Sequence, residues 1–189
     1  MERRSFLRGL SLTALTVGLA QSARAAQTQP LTMKDILDLQ KNWRALLADG
    51  ASIAATNAPL ARSNPEWRKV LTPAAYNVLR EAGTEHPGTS PLNAEKRPGV
   101  FVCAGCSLPL FTSAMKFESG TGWPSFFTSI PGAFAQKKDF ELIVERDEYH
   151  CARCGGHHGH VFDDGPPPTC QRWCNNGVAL RFIPKTGKA

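Results

Sequence analysis

The sequence predicts a mainly β fold in which helices come first and an antiparallel β domain follows from about residue 62. Three observations support this class. Before residue 83, apolar residues recur at steps of three and four, which is typical of amphipathic helices. Beyond it, short β-rich runs alternate with Gly, Pro and Asn turns, which is typical of antiparallel strands. Two C-x-x-C pairs lie within the β-rich part and indicate a structural site for a metal ion.

Residues 1–25 have the features of a twin-arginine export signal. Arg3 and Arg4 precede a short apolar run, and Ala23-Arg24-Ala25 then offers small residues for cleavage before Ala26. The run is too short to span a bilayer, which needs about 20 residues. We therefore expect export without a stable membrane anchor, and the predicted location is the periplasm.

The charge of the chain gives little support for nucleic-acid binding. Removal of the signal takes away four arginines and one glutamate, which lowers the formal net charge from +6 to about +3. That value is ordinary for a soluble surface, and the sequence contains no basic run with interleaved aromatic residues.

Residues 26–61 are expected to form an N-terminal helical extension and a linker. The helix is predicted over Thr32–Ala48, with a capping arrangement that involves Asp35 and with Gly50 as its end. The sequence does not indicate what this helix contacts.

Two shorter helices are predicted before residue 83. Asn64 and Pro65 have the features of an N-cap and a first helical position, which predicts a helix over Glu66–Leu71. Thr72-Pro73 repeats this signal for a second helix. Its expected apolar face consists of Ala75, Leu79 and Ala82, before Gly83.

Short strands are predicted in the rest of the chain. Val100–Val102 leads into the first cysteine pair, Phe140–Val144 and His160–Phe162 are β-rich, and Val178–Ile183 ends the fold. The domain is expected to cover residues 62–186.

The two C-x-x-C pairs predict a structural zinc site. Cys103 with Cys106, and Cys151 with Cys154, offer the four thiolates that a tetrahedral Zn²⁺ ion prefers. Two alternatives remain open on spacing alone: a redox-active C-x-x-C pair, and three structural disulfides in an exported chain with six cysteines. Duplication of the pair favours metal binding over redox chemistry, and a chain of 189 residues has little need for disulfides.

Cys170 and Cys174 remain once the two pairs are assigned, and the sequence predicts that one cysteine is left to react. A free cysteine has a pKa of about 8.5, so its activation requires a nearby positive charge or hydrogen-bond donors. The candidates near it in sequence are Arg172, His157, His160 and Asn176. The two histidines could instead ligate a metal or bond to neighbouring aspartates.

Several long motifs occur in order between residues 65 and 184. They are Gly83-Thr84-Glu85, Gly99 to Cys103, Leu110-Phe111, Lys116 to Gly120, Gly122 to Phe126, His157 to Gly165, Arg172 to Asn176, and Leu180 to Phe182. Through these motifs the chain resembles the methionine sulfoxide reductase B family, which reduces the R epimer of methionine sulfoxide. The resemblance implies two small antiparallel sheets with a structural zinc site, and a substrate that is free or protein-bound oxidised methionine.

The resemblance also implies the roles of individual residues. The cysteine that matches Cys174 attacks the sulfoxide sulfur and becomes a sulfenic acid. The histidines that match His157 and His160 supply and organise a proton for the leaving oxygen, and Asn176 and Arg172 match supporting residues. The implied substrate-binding residues are Trp123, whose indole packs against the substrate methyl group, with Phe162 and Asp164.

The chain departs from the family at the position of the resolving cysteine, where it has Thr121. Cys170 is then the candidate resolving thiol. If residues 170–174 are extended, however, the two Cα atoms lie about 13 Å apart, whereas a disulfide requires roughly 4.4–6.8 Å. The alternative is reduction of the sulfenic acid by a thioredoxin-like protein or another external thiol.

The sequence therefore predicts an exported, zinc-binding oxidoreductase that reduces methionine-R-sulfoxide. Two other functions remain as alternatives. One is a non-catalytic zinc-binding module in which Cys174 is buried and inert, and the other is a thiol–disulfide oxidoreductase.

Overall fold

The computed structural model describes residues 30–139 and 146–185. The predicted signal over residues 1–25 and the predicted strand Phe140–Val144 lie outside the described residues. Within the described ranges, three α-helices precede nine β-strands, which confirms the predicted mainly β class with N-terminal helices. No helix in these ranges has the length and apolar character needed to cross a membrane.

The first helix, α1, spans Met33–Lys41 and begins with the predicted capping pair. The Thr32 backbone N–H donates to Asp35 Oδ2 at 2.8 Å, and the Asp35 N–H donates to Thr32 Oγ1 at 3.3 Å. The helix packs against the β domain, where Gln40 Nε2 donates to Thr128 Oγ1 at 2.8 Å. The contact partner that the sequence left open is therefore the β domain of the same chain.

The end of α1 differs from the prediction, which extended the helix to Ala48. Asn42 leaves the helical conformation, and a 3₁₀ turn follows at Trp43–Leu46. Asparagine is a weak helix former because its side chain competes for backbone hydrogen bonds. The tighter turn places the Trp43 ring in the core, and Gly50 lies in the following loop rather than at the helix end.

The second and third helices form close to where the sequence predicts them. The second, α2, spans Asn64–Val70, and its N-cap is Ser63, one residue earlier than predicted, because the Ser63 N–H and hydroxyl both donate to Glu66. The third, α3, spans Pro73–Glu81. Its buried face consists of Ala75, Tyr76, Val78 and Leu79. The inclusion of Ala82 in this face was wrong, because Ala82 is exposed in a left-handed conformation past the helix end.

Nine strands follow in the described part of the chain. They are β1 (Gly99–Cys103), β2 (Pro109–Thr112), β3 (Lys116–Phe117), β4 (Ser125–Phe126), β5 (Phe134–Asp139), β6 (Arg146–Cys151), β7 (His157–Phe162), β8 (Arg172–Asn175) and β9 (Leu180–Pro184). They form a three-stranded sheet in the order β2–β1–β9 and a six-stranded sheet in the order β3–β4–β8–β7–β6–β5. Every neighbouring pair is antiparallel, as predicted. The last strand begins at Leu180, later than predicted, because a 3₁₀ turn occupies Gly177–Ala179.

An aromatic core joins the two sheets. Phe126 on β4 stacks on Phe111 of β2 with ring centroids 3.9 Å apart, and it meets Phe101 of β1 edge-on at 5.1 Å. Burial of one such side chain contributes about 1.5–3 kcal/mol. Because β4 pairs Ser125 with Cys174 on β8, this packing also fixes the backbone of the candidate nucleophile.

Candidate functional site

The four cysteines of the two C-x-x-C pairs converge. Cys103 Sγ lies 3.7 Å from Cys154 Sγ, and Cys106 Sγ lies 3.5 Å from Cys151 Sγ. All four sulfurs lie within 4.8 Å of one another. A tetrahedral ion with Zn–S bonds of about 2.3 Å separates its sulfurs by about 3.8 Å, so the four thiols fit one metal ion. All six cysteines of the chain are free thiols, and the alternative of three disulfides is therefore wrong.

Both cysteine pairs are built on the same backbone turn. The Ser107 N–H donates to the Cys103 carbonyl at 2.9 Å, and the Gly155 N–H donates to the Cys151 carbonyl at 2.8 Å. Ser107 and Gly155 share a left-handed conformation, with φ angles of 58° and 66°. Glycine adopts this conformation without steric cost, whereas serine does not. Two copies of one turn, at the ends of β1 and β6, thus bring the four thiols together.

The linker predicted at the end of residues 26–61 lies across both cysteine turns. It has no regular structure, as expected, yet its backbone is hydrogen-bonded. The Ala54 N–H donates to the Ser107 carbonyl at 2.9 Å, and the Leu60 N–H donates to the Arg153 carbonyl at 2.7 Å. Arg153 Nη1 in turn donates to the Thr56 carbonyl at 2.9 Å. The N-terminal segment therefore supports the candidate metal centre directly.

A pocket of about 290 Å³ lies beside β7 and β8. Ligand pockets commonly enclose about 300–1,000 Å³, so this one suits a small group such as a single side chain. Its lining comprises Ala82, Thr84, Trp123, Glu148, His157, Gly159, His160, Phe162, Cys174, Asn175 and Asn176. Six of the residues predicted from sequence are in this set. Arg172, Asp164 and Cys170 are not.

Strand register explains why three of these side chains meet. His160 on β7 lies opposite Cys174 on β8 and opposite Glu148 on β6. Residues that pair directly across antiparallel strands point to the same face of the sheet. Phe162 lies two residues after His160 and therefore shares this face.

A shift in the β6–β7 register brings His157 to the pocket as well. Tyr149 pairs with Gly159, but the next residue, His150, pairs with His157, and His158 is left unpaired. Such a bulge changes the direction of the side chains that it separates. His158 consequently lies fully buried in the core, while His157 lines the pocket.

Glu148 orients His157. Its Oε1 atom lies 2.5 Å from His157 Nδ1, and because a carboxylate only accepts, Nδ1 carries the proton. Burial lowers the pKa of His157, although Glu148 acts in the opposite direction. The pKa of Glu148 lies below its ordinary value. Burial acts to raise this pKa, but the interactions of the carboxylate with His150 and His157 lower it by more. The resting pair is thus a carboxylate and a neutral imidazole whose Nε2 can accept a proton.

The environment of Cys174 favours the neutral thiol at rest. Burial raises its pKa, and the positive charge of Arg172 and the hydroxyl of Thr121 oppose this shift without reversing it. The Thr121 hydroxyl also lies 2.9 Å from Ser119 Oγ, which lies 2.8 Å from Ser125 Oγ. At the family's usual resolving position, this chain therefore places a hydrogen-bond donor to Cys174.

Arg172 is held by Asp164 in a bidentate ion pair. Arg172 Nε donates to Asp164 Oδ1 at 2.7 Å, and Nη2 donates to Oδ2 at 2.9 Å. The guanidinium also lies 4.2 Å from the ring centroid of Phe162. The hydrogen bonds from Arg172 lower the pKa of Asp164. Asp164 therefore contacts the arginine that sits near Cys174, and it does not line the pocket.

Glu85 joins the Trp123 side of the pocket to the Asn176 side. Trp123 Nε1 donates to the Glu85 carbonyl at 3.2 Å, and the Glu85 N–H donates to Asn176 Oδ1 at 2.9 Å. The Glu85 carboxylate accepts from the first two N–H groups of the 3₁₀ turn Gly177–Ala179. Asn176 Nδ2 donates to the His158 carbonyl at 3.0 Å. Asn176 thus positions the backbone on both sides of the pocket.

Cys170 lies outside the pocket, on a turn that precedes β8. It is exposed with a φ of 54°, and its N–H donates to the Pro166 carbonyl at 3.1 Å. The distance argument against a 170–174 disulfide assumed that all of these residues are extended. The chain is extended only from Arg172 onward, and Cys170 itself lies in the turn. Its role as a resolving thiol stays a prediction.

Sequence reasoning missed three residues that contribute to the site. These are Glu148, His150 and Glu85. Glu85 stands inside a quoted motif, and Glu148 and His150 alternate on a strand, so they share one face. That alternation is the signal that could have identified them.

Known proteins resemble this chain over most of its described length. The SelR domain family matches residues 71–184. The peptide methionine sulfoxide reductase MsrB of Agrobacterium fabrum is 47% identical over 130 residues, covering 68% of this chain and 96% of that protein. MsrB of Methanosarcina barkeri is 51% identical over 122 residues, covering 64% and 86%. The chloroplastic peptide methionine sulfoxide reductase B2 of Arabidopsis thaliana is 44% identical over 134 residues, covering 69% and 65%. The chain therefore belongs to the SelR domain family, together with the peptide methionine sulfoxide reductases MsrB.

Proposed function

We propose that this chain reduces methionine-R-sulfoxide to methionine, with Cys174 as nucleophile and His157 as proton carrier. The observation that carries this proposal is that Cys174 and the Glu148–His157 pair line one pocket together with Trp123. A passive zinc-binding module has no need for this arrangement. Family membership supports reduction of methionine sulfoxide, since relatives 44–51% identical are named peptide methionine sulfoxide reductases.

The reaction moves one oxygen atom from the substrate sulfur to Cys174. His157 Nε2 first accepts the Cys174 thiol proton, and Glu148 stabilises the imidazolium that results. The thiolate attacks the sulfoxide sulfur and forms a sulfur–sulfur bond, and His157 gives its proton to the sulfoxide oxygen. The sulfur–oxygen bond breaks, the released hydroxide bonds to the Cys174 sulfur, and the sulfur–sulfur bond breaks. Methionine leaves, reduced by two electrons, and Cys174 becomes a sulfenic acid, oxidised by two.

The two sides of the pocket account for selectivity between epimers. Trp123, held through its Nε1–H, forms an apolar wall that suits the S-methyl group, and in this proposal His157 and His160 of the same lining face the oxygen. With the approach of Cys174 to the sulfur as a third fixed direction, only one configuration presents its methyl group to Trp123 and its oxygen to the histidines. We therefore expect the R epimer to be reduced and the S epimer to be left.

An external thiol returns the electrons in this proposal. Thr121 cannot form a disulfide, and Cys170 does not line the pocket. A thioredoxin-like protein or a small thiol then reduces the sulfenic acid. Mass spectrometry after one turnover distinguishes the routes, because a disulfide between Cys170 and Cys174 would support Cys170 as the resolving thiol.

Zn²⁺ is the ion that we propose for the four-cysteine centre. Cys103, Cys106, Cys151 and Cys154 fit it by their sulfur spacing. A closed four-thiolate site supplies folding energy and no open coordination position, so the ion is structural. We further propose that residues 1–25 direct export by the twin-arginine route, which cell fractionation of the processed protein would test.

The proposal is tested by assaying reduction of the separate R and S epimers with dithiothreitol as the electron donor. The expected result is reduction of the R epimer, which the substitution Cys174→Ser abolishes. Reduction that survives this substitution would reject Cys174 as the nucleophile. Equal reduction of both epimers would reject the proposed role of Trp123.

A further inference from the structure

A second cluster of metal-binding side chains lies at the wall of the pocket. Glu148, His150 and His157 each offer one ligand atom, and these atoms lie within 4.8 Å of one another. Glu148 Oε1 lies 2.5 Å from His157 Nδ1 and 3.1 Å from His150 Nε2. In a tetrahedral site with bonds of about 2.0–2.1 Å, ligand atoms lie about 3.3 Å apart. Small side-chain movements therefore suffice for the three atoms to share one ion.

The hydrogen bond of His150 leaves a lone pair directed at this cluster. His150 Nδ1 lies 3.3 Å from the Gly155 carbonyl, and because a carbonyl only accepts, Nδ1 carries the proton. In the neutral ring, Nε2 is then an acceptor that faces the carboxylate oxygen of Glu148. His150 Nε2 is buried and makes no hydrogen bond within the described residues, although Glu148 Oε1 lies 3.1 Å away, where it would pair with Nε2 if His150 were protonated. Two acceptors that face each other form a site for a cation.

The support of His150 is of the kind that metal-binding histidines have. Such a histidine usually donates its other ring N–H to a carbonyl or a carboxylate, which fixes the ring and its tautomer. Here the carbonyl belongs to Gly155, in the second cysteine turn. The two imidazoles and one carboxylate suit borderline divalent ions such as Zn²⁺, Co²⁺, Ni²⁺ and Cu²⁺.

The cluster is accessible from the pocket. Glu148 lines the pocket, and the side chains of His150 and Glu148 are 25% and 15% exposed. An ion can therefore reach the three ligand atoms without opening the core, and its remaining coordination positions would face the pocket.

We propose that Glu148, His150 and His157 bind one borderline divalent ion, such as Zn²⁺ or Co²⁺, and that the bound ion blocks sulfoxide reduction. The ion takes the lone pair of His157 Nδ1 and the charge of Glu148, and the ring proton moves from Nδ1 to Nε2. Nε2 then has no lone pair left to accept the thiol proton. The effect on reduction rests on the function proposed above, whereas ion binding does not.

Binding is tested with protein whose four-cysteine centre is already filled by one Zn²⁺ per chain, titrated with Co²⁺. We expect one further Co²⁺ to bind, with visible d–d absorption and without thiolate-to-cobalt charge transfer. His150→Gln should weaken binding at least about tenfold, as the loss of supporting groups already does at metal sites. Glu148→Gln should weaken it as well. The matched control is His86→Gln, at an exposed histidine, which should bind as the unaltered protein does.

The proposed site would be overturned if no further Co²⁺ bound. It would also be overturned if His150→Gln bound Co²⁺ as tightly as the unaltered protein does. Thiolate charge transfer that disappears in Cys174→Ser would also overturn it, because the ion would then sit on the nucleophile. Circular dichroism of each variant establishes that it is folded.

The block on reduction is tested in single turnovers without added thiol, because dithiothreitol itself binds these ions. Co²⁺ should slow methionine formation in the unaltered protein and in His86→Gln, and His150→Gln should require at least about ten times more Co²⁺ for the same fractional slowing. Binding without slowing would overturn the inhibitory role alone. If the unaltered protein showed no reductase activity, the proposed function would be contradicted. The cobalt titration would still decide whether Glu148, His150 and His157 bind an ion.

Discussion

Replacement of Glu148 by glutamine isolates the contribution of one charge to the proton transfer. Glutamine keeps the shape and a carbonyl oxygen near His157 Nδ1, but it loses the carboxylate that stabilises the imidazolium. A hydrogen bond to a charged group contributes about 1.5–3 kcal/mol, and each 1.36 kcal/mol is a tenfold change in rate. We therefore expect Glu148→Gln to lower kcat for methionine-R-sulfoxide by about 10- to 150-fold.

The dependence of the rate on pH should change in the same variant. His157 must be neutral to accept the thiol proton, so the rate falls as pH drops through the pKa of His157. Glu148 acts to raise that pKa. The acidic limb of the kcat–pH profile should therefore move to lower pH when the charge is removed.

The assay is the steady-state reduction of the R epimer between acidic and neutral pH, with Glu81→Gln as the control. Glu81 forms an exposed ion pair with Arg68 at 3.2 Å and lies outside the pocket. An unchanged kcat in Glu148→Gln would refute the role of Glu148. A lower kcat with an unmoved acidic limb would refute the assignment of His157 as the base.

Three further predictions concern the metal centre and the nucleophile. Cys106→Ser should reduce metal content below one ion per chain and lower the unfolding temperature by about 10 °C or more. The conversion is that 1 kcal/mol of stability corresponds to about 2–4 °C in a domain of this size. Full metal content at an unchanged unfolding temperature would contradict the four-cysteine site. Ser107→Gly should raise stability by up to about 1 kcal/mol, because relief of its left-handed φ of 58° outweighs the loss of an exposed hydrogen bond from Arg181. A lower unfolding temperature in calorimetry, also relative to Arg181→Ala, would contradict this. Thr121→Val should further raise the pKa of Cys174 and slow its alkylation at neutral pH by up to about tenfold, whereas Thr121→Ser should not; equal rates in both would exclude the hydroxyl contact.

Local patterns predicted the parts of the fold that depend on neighbours in sequence. The capping pair of Thr32 and Asp35 follows from three-residue spacing, and both C-x-x-C turns follow from two-residue spacing and small residues. The antiparallel class follows from short β-rich runs between turns. In the cap and the two cysteine turns, the interacting groups lie within one turn of the chain, so the sequence contains the whole interaction.

The parts that were missed depend on contacts between distant segments. Trp43 enters the core beside residues from the β domain, and this tertiary packing ends the first helix early. The placement of His157 in the pocket and His158 in the core depends on a register shift against β6, which no local pattern shows. The orientation of Glu148 toward His157 follows from the same pairing.

The residues of the site were predicted from two kinds of sequence information, the count of cysteines and the family motifs. Elimination of the two C-x-x-C pairs left Cys170 and Cys174, the family motifs then singled out Cys174, and the structure places Cys174 in the pocket. Trp123 and Phe162 came from the family motifs, and both line the same pocket. Asp164 was also predicted from the family motifs, but it contacts Arg172 and does not line the pocket. A shared motif can therefore contain a residue that positions its neighbours as well as residues that line the pocket.

The division of roles among the cysteines is tested most directly by one turnover of the fully reduced protein without added thiol. The products are then examined by mass spectrometry and metal analysis. The account predicts one equivalent of methionine, one added oxygen on Cys174, and no loss of metal from the four-cysteine centre. Oxygen on any of the four clustered cysteines, or metal release during turnover, would contradict it.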